Sequence, residues 1–533
     1  MKSSALNRWR IGAVPHWSTV MLWFAAVLVV AALLLPTVYL VVRALATSDS
    51  AVQTLLRSRT WAIVFQTAAL AIAVTFCSAL IAVPLAWLTV RTDLPFRRVW
   101  SILTPLPLVI PSYVGAYLFI SVLGPRGLLQ QGLETLFGIQ RLPSIYGFPG
   151  ALLALTLLCY PYLLLSLRAA LQRMDPALEE ASRSLGFAPW ATFWRVTLPQ
   201  LRPALGAGGL LVALYTLRDF AAVAIMRYDT FTRIIYVQYR SLDRSQAALF
   251  ALLLIVLTLV LVVFEARLQS RARFDQPSSN RPPTQVKLGV WRWPALAFCA
   301  LVVGCSLVLP AGVLIYWLVR GLRAGETLLA LGPVVRNSLF ASGMAALVTV
   351  LAALPVAVLV VRRPSRFSQM LERLCYAAFA LPGIAVALAL VFFGINYARP
   401  LYQTFVMLLL AYAILFLPQA VGALRTSLLQ IHPSVEEAAR SLGRTPLQVF
   451  GSITLPLMRP GLLAGASLVF LTTMKELPAT LILAPIGFKT LAVDVWSSVS
   501  EAFFARAAAP ALVIVLLSSV PLALMTIREQ RES

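Results

Sequence analysis

By composition and pattern, the sequence specifies an all-α integral membrane protein of about twelve transmembrane helices, built as two parallel six-helix repeats. Three observations lead there. Hydrophobic residues fill 60% of the 533 positions and charged residues only 12%, for a mean hydropathy of +0.85; a soluble domain carries roughly 25% charged residues. Apolar runs of about 20 residues, enough to cross a hydrocarbon core about 30 Å thick, recur along the whole chain. The second half of the chain restates the residue pattern of the first.

Taken in order, the first run covers 18–42, behind Lys2, Arg8 and Arg10. Ala44-Leu45-Ala46 after it resembles a signal-peptidase site, but the run exceeds the roughly 7 to 15 residues of a signal h-region and reads as a membrane anchor. Runs at 61–90, 100–123, 148–167, 203–225 and 247–264 complete six spans. A polar, Pro-rich and basic stretch over 265–292, with Arg267, Arg271, Arg273, Pro277, Arg281, Pro282, Pro283 and Lys287, reads as a cytoplasmic linker. Runs at 293–318, 334–361, 374–395, 402–424, 460–477 and 504–527 supply the second six. The first half is thus expected over 1–264 and the second over 293–533.

Gln66-Thr67, Pro84, Val90-Arg91 and Pro111 align with Asn337-Ser338, Pro355, Val361-Arg362 and Pro382 at an offset of 271. Beyond the longer loop 124–146 the offset becomes 257, pairing Pro161 with Pro418, Glu180 with Glu437, Pro199 with Pro456, and Arg218-Asp219 with Lys475-Glu476. Agreement over most of each half marks an internal repeat. An even number of spans per half makes both enter the membrane in the same direction, and a translocation path is expected between them. Lys and Arg concentrate at 91–98, 168–202, the linker, 362–373, 425–459 and 528–531, which predicts those segments and both termini to be cytoplasmic. Arg227, Arg233, Arg240 and Arg244 break the pattern, and Asp229 and Asp243 offset only part of their charge.

A net charge of +24 would suggest nucleic acid in a soluble chain. Here it reads as loop topology, so the expected surroundings are the lipid bilayer and no nucleic acid. Cys77, Cys159, Cys299, Cys305 and Cys375 lie in apolar runs without CxxC spacing and read as small packed hydrophobes. His16 and His432 are the only histidines, and no ligand cluster for a resident metal is visible. The chain has no Gly-x-x-x-x-Gly-Lys-Ser/Thr loop to cradle nucleotide phosphates. Lacking also an HExxH or a Ser/His/Asp set, it reads as neither an enzyme nor a cofactor-binding chain.

Two cytoplasmic loops, about 172–202 and 429–459, carry the most informative pattern. One reads Asp175-Pro-Ala-Leu-Glu-Glu-Ala-Ser-Arg-Ser-Leu-Gly186 and continues to Val196-Thr-Leu-Pro199; the other reads His432-Pro-Ser-Val-Glu-Glu-Ala-Ala-Arg-Ser-Leu-Gly443 and continues to Ile453-Thr-Leu-Pro456. Each spells a short helix. Asp175 suits its cap and Pro176 its first turn, the glutamates favour the positive end of the dipole, and Gly186 or Gly443 suits a left-handed stop. Glu179 with Arg183 and Glu436 with Arg440 form i, i+4 pairs. Ala181 with Ser182, and Ala438 with Ala439, offer small faces to an approaching protein. One copy would suit a capped interfacial helix; two copies at equivalent positions argue for docking.

In these loops the sequence resembles the permease subunits of binding-protein-dependent ABC importers, whose signature is Glu-Ala-Ala, three residues, Gly, nine residues, Ile, one residue, Leu-Pro. Glu437, Ala438, Ala439, Gly443, Ile453, Leu455 and Pro456 match it in full. Glu180, Ala181, Gly186, Leu198 and Pro199 match in the first copy, with Ser182 for the second Ala and Val196 for the Ile. The resemblance implies the type I ABC importer permease fold in the bacterial inner membrane, with two halves fused that usually occupy separate chains. It also implies that the loops are coupling helices docking on two copies of a cytoplasmic ABC ATPase, which uses ATP and Mg. A periplasmic or extracellular substrate-binding protein would then deliver the cargo.

Arg218-Asp219 and Lys475-Glu476, late in the fifth and eleventh spans, are the second constellation. Charges inside a span are costly and usually face a cavity or a partner. Neighbouring helical residues diverge by about 100° and pair poorly with each other. One reading pairs Arg218 with Glu476 and Lys475 with Asp219 across the halves, in a pathway or gate. The other lets them snorkel near the outer surface, since Arg218 lies about 22 Å along the helix from Pro203 at ~1.5 Å per residue. Thr472-Thr-Met-Lys-Glu-Leu-Pro-Ala-Thr-Leu-Ile-Leu-Ala-Pro485, Gly487-Phe488, Thr490-Leu491 and the first-half stretches Asp219-Phe-Ala-Ala-Val-Ala and Arg227-Tyr-Asp-Thr-Phe-Thr-Arg233 are similar to the ferric-iron branch of these permeases. Iron is therefore the implied cargo, with thiamine, polyamine and phosphonate permeases also similar. Tyr113, Tyr117 and Phe393 either line the path or pack between helices. A twelve-span secondary transporter is the rival class, but it has no use for a duplicated docking helix.

Overall fold

The computed structural model describes residues 16–45, 53–241, 243–271, 285–326, 331–377 and 381–532. In the first half the principal helices are α1 (His16–Leu45), α2 (Ser58–Arg91), α3 (Arg97–Leu103), α4 (Ser112–Leu123), α5 (Leu128–Phe137), α6 (Phe148–Arg173), α7 (Ala177–Ser184), α8 (Arg202–Arg218), α9 (Ala221–Ile225), α10 (Phe231–Arg240) and α11 (Arg244–Arg271). In the second half they are α12 (Arg292–Val303), α13 (Leu309–Arg323), α14 (Leu331–Arg362), α15 (Arg366–Ala377), α16 (Gly383–Tyr397), α17 (Phe405–Gln430), α18 (Pro433–Ser441), α19 (Arg459–Met474), α20 (Pro478–Leu483), α21 (Leu491–Ser500) and α22 (Phe504–Glu532). Element follows element at the offsets of the repeat. α5 alone has no counterpart, and it occupies the loop at which the offset changes.

Helix is the expected solution, because a backbone in hydrocarbon must satisfy its own hydrogen bonds. Among the described residues seven helices are long and apolar enough to cross a membrane, or up to nine if each bent pair counts as one span. The bent pairs are Arg97–Val109 with Ser112–Phe137, at 97°, and Pro446–Leu457 with Arg459–Met474, at 67°. Among the described residues helix occupies each of the twelve expected apolar runs, the remainder as shorter pieces. Pro84, Pro161, Pro355 and Pro418 sit inside continuous helices, as neighbouring helices in a membrane allow. Each half is built on a bundle, α2 with α6 and α8, and α14 with α17 and α19. A Cβ on Gly208 would lie 2.6 Å from Leu163 Cδ1, so a residue without one lets α8 approach α6 closely. Cys159, Cys299 and Cys375 are buried, and all five cysteines are unbridged.

The first span of each half leaves its own bundle. α1 packs on α14, α15 and α16 of the second half as well as on α11, while α12 and α13 pack on α2 and α4 of the first half and on α22. Trp317 Nε1 donates to Ser121 Oγ at 2.6 Å, and Asn396 Nδ2 donates to the Tyr39 hydroxyl at 3.1 Å. The linker expected over 265–292 starts later than its composition suggests, since α11 stays helical to Arg271; residues 272–284 lie outside the described residues. From 285 the chain rejoins the first half. Val286 N donates to Arg91 O at 2.8 Å, and Leu288 N donates to Asp93 Oδ1 at 2.8 Å.

Candidate functional site

The two signature loops fold as their sequences dictate. Asp175 Oδ1 accepts from Ala177 N at 3.0 Å and His432 Nδ1 from Ser434 N at 3.3 Å, satisfying amide groups at the starts of α7 and α18. Gly186 and Gly443 end them at φ +86° and +82°, the left-handed stop that a side chain disfavours. A single π-helical turn follows at Phe193–Thr197 and at Phe450–Thr454. Leu198-Pro199 and Leu455-Pro456 then open the short helices leading into α8 and α19.

Glu180, Ala181 and Ala438 are exposed and Glu437 is half-buried. Apolar Leu178, Leu185, Val435 and Leu442 flank them in the open, Leu442 at 84% exposure. Ser182 and Ala439 correct the expectation of a two-residue small face. Both are buried, because consecutive helical positions point about 100° apart, and Ser182 Oγ hydrogen-bonds Thr192 Oγ1 at 3.0 Å.

Beneath this surface lies a pair of clamps that the sequence reading missed. The carboxylate of Glu179 meets Arg91 Nη1 at 3.3 Å and accepts from Thr197 Oγ1 at 2.8 Å. Glu436 meets Arg362 at 3.0 Å and Arg440 at 3.6 Å, and accepts from Thr454 Oγ1 at 3.0 Å. Both glutamates are buried. The available signal was that Arg91, Glu179 and Thr197 recur as Arg362, Glu436 and Thr454; treating each glutamate as merely an i, i+4 partner hid it.

The second constellation sits where the fifth and eleventh spans break. α8 stops at Arg218 and α9 restarts at Ala221; α19 stops at Met474 and α20 restarts at Pro478. Each acid caps its restart, Asp219 Oδ1 accepting from Ala222 N at 2.8 Å and Glu476 Oε1 from Ala479 N at 3.1 Å. Ser112 also hydrogen-bonds Asp219. At Ser112's repeat position stands Gly383, where a Cβ would lie 2.6 Å from Glu476 Oε1.

Arg218 lies within electrostatic reach of Glu476, from the opposite half. Lys475 does not pair with Asp219. Its Nζ donates to Leu108 O of the first half at 3.1 Å, while Asp219 is engaged by Ser112 and the start of α9. Asp219 is buried and Arg218, Lys475 and Glu476 are half-buried, which favours contacts within the protein over snorkelling. Alongside, the Tyr162 and Tyr215 rings meet at 5.4 Å, and at the same repeat positions Thr472 Oγ1 donates to Gln419 Oε1 at 3.2 Å. A groove of about 450 Å³, lined by Gln419, Thr426, Ser427 and Gln430 among others, runs between α17 and α19. Tyr113 and Tyr117 are buried in packing, Tyr117 stacked on Phe504 at 5.9 Å, and Phe393 stacks on Tyr397. Of the unexplained arginines, Arg233 pairs with Asp229 and Arg227 lies over the Tyr146 ring.

Two parallel helical repeats, each with a capped, exposed loop between its fourth and fifth spans and buried or half-buried charges at a broken helix, make up a membrane permease. The chain belongs to the family of binding-protein-dependent transport system inner membrane components, which matches residues 82–274 and again 341–533. It is 35% identical over 518 residues to the Fe(3+)-transport system permease protein FbpB 2 of Haemophilus influenzae, covering 96% of this chain and 98% of that one. It is 26% identical over 445 residues to the ferric transport system permease protein FbpB of Actinobacillus pleuropneumoniae, covering 78% and 64%. To the molybdenum transport system permease protein ModB of Escherichia coli it is 34% identical over 137 residues, covering 26% and 58%. It is an ABC importer permease with both halves in one chain, resembling the ferric-iron branch.

Proposed function

We propose that this permease moves ferric iron, delivered by a periplasmic binding protein, into the cytoplasm by ATP-driven alternating access. The observation that carries the cargo is the 35% identity, over nearly the whole of both chains, to a permease named for Fe(3+). α7 and α18 are the coupling helices. Glu180, Ala181, Gly186, Leu198 and Pro199, with Glu437, Ala438, Gly443, Leu455 and Pro456, shape two docking surfaces for two copies of an ATPase that uses ATP and Mg. Ser182 and Ala439 support them from within. The exposed Leu178, Leu185 and Leu442 favour this reading, because apolar surface clustered in a polar rim marks a protein contact.

Closure of the ATPases draws the two loops together and reverses the access of the cavity between the halves. Arg218, Asp219, Lys475 and Glu476 form its outer gate, and both termini lie in the cytoplasm. The test is reconstitution in proteoliposomes with the ATPase and the binding protein, offering ferric iron, thiamine, a polyamine, a phosphonate and molybdate in competition. Ferric iron is expected to stimulate hydrolysis and to be taken up. Stimulation by one of the others, with none by iron, would overturn the cargo, and failure of the chain to retain any ATPase would overturn the docking role.

A further inference from the structure

The repeat pairs Gln66-Thr67 with Asn337-Ser338 and Val90-Arg91 with Val361-Arg362, and these four dipeptides lie near opposite ends of the same two helices, α2 and α14. At one end, Arg91 and Arg362 hold Glu179 and Glu436 of the coupling helices at 3.3 and 3.0 Å. Each carboxylate also accepts from a threonine just before the next span, so one buried group ties three segments. At the other end, Thr67 Oγ1 accepts from Phe231 N at 3.2 Å and Ser338 Oγ from Leu491 N at 2.7 Å. Phe231 and Leu491 are the first residues of α10 and α21. The flanking residues add a bond each, Tyr228 hydroxyl to Gln66 O at 3.2 Å and Asn337 Nδ2 to Lys489 O at 3.1 Å.

Between these ends the helices are uninterrupted, and Thr67 to Arg91, like Ser338 to Arg362, spans about 36 Å at ~1.5 Å per residue. A buried ion pair is poor evidence for stability, since well-packed apolar residues serve as well or better. The Arg91 pair is the costlier for leaving Nε and Nη2 without a hydrogen-bond partner among the described residues. That such a pair stands at both repeat positions points to geometry as what it secures.

We propose that α2 and α14 are transmission rods, pinned to the coupling helix at one end and to α10 or α21 at the other. Arg91, Glu179, Arg362 and Glu436 are then positioning residues for coupling, not for docking. This rests on the ATPase-docking role of α7 and α18. A shift of the coupling helix moves the rod as a body and carries with it the outer helix next to the broken span.

The test uses the full permease reconstituted with its ATPase and loaded binding protein, reading ATPase retention, ATP hydrolysis, and iron taken up per ATP. Glu179→Gln with Glu436→Gln removes the charge on which both ion pairs rest and leaves Glu180, Ala181, Glu437 and Ala438 in place. Retention and hydrolysis are expected to persist while iron moved per ATP falls about tenfold, the scale of an ordinary allosteric coupling. Arg362→Glu with Glu436→Arg is expected to do better than either change alone. Thr67→Val with Ser338→Ala, which touches neither clamp nor docking surface, should lower the same ratio, and it decides the matter if the glutamine variant does not reach the membrane. An unchanged ratio with the ATPase normally retained would overturn the rods alone; loss of the ATPase from the unaltered permease would instead overturn the docking role.

Discussion

Arg218 lies within electrostatic reach of Glu476 across the two halves, so removing either charge removes that attraction. Arg218→Gln and Glu476→Gln are each expected to reduce uptake, and the double variant to recover part of it, with a coupling of about 1 to 3 kcal/mol. The side-chain amide introduced by Glu476→Gln keeps an oxygen for Ala479 N, so the cap on α20 is held constant through the cycle. Lys475→Gln and Asp219→Asn should simply add, because Lys475 bonds the Leu108 carbonyl and Asp219 caps α9. Uptake normalised to membrane expression checks both cycles, and additivity in the first would remove the pair. The same cation–acid dipeptide at both repeat positions made the expectation of a cross-pair legible in the sequence. The Lys475 contact was not, because its acceptor is a backbone oxygen, which every residue possesses.

The two signature-loop helices, α7 and α18, were the most legible elements, because their starts and stops are encoded locally. Asp175, Pro176, Gly186 and Gly443 announce a cap, a first turn and two left-handed ends, and each does what its type allows. What was not legible depends on three-dimensional company. The burial of Glu179 is decided by Arg91, 88 positions away, and the inward turn of Ser182 and Ala439 by the segments behind them. No atom lies within 4 Å of a Cβ built on Gly443, whose φ is +82°, so the cost of substitution there is conformational. Gly443→Asn, a residue that tolerates this region, is expected to leave uptake near normal. Gly443→Val is expected to cost about 1 to 2 kcal/mol in the helix end and to weaken ATPase retention roughly tenfold, measurable by co-purification.

For the whole molecule, apolar periodicity identifies each span but not the helix it meets, so the departure of α1 and α12–α13 to the opposite half could not be read in advance. It makes neither half self-sufficient. Residues 1–271 and 285–533, expressed together as two polypeptides, are expected to co-purify and transport. Deleting α1 from the first piece should abolish both, since α14, α15 and α16 then lose a helix that covers them. Full activity of the α1-lacking pair would show that the exchange is incidental. The parallel arrangement itself was legible, because the repeat offset and the even number of spans constrain it without any knowledge of contacts.

Where residues 285–288 rejoin the first half beside Thr92 and Asp93, the chain guarantees that the two halves are made in equal number and meet as neighbours. Halves synthesised separately would sort into mixed and like-with-like pairs, and selection would have to keep each able to recognise the right mate. Fusion removes that sorting, and with it the need for the halves to stay alike. Trp190 and Trp194 stand on one signature loop where Leu447 and Gly451 stand on the other, a divergence that a symmetric pair of identical chains has no means of accumulating.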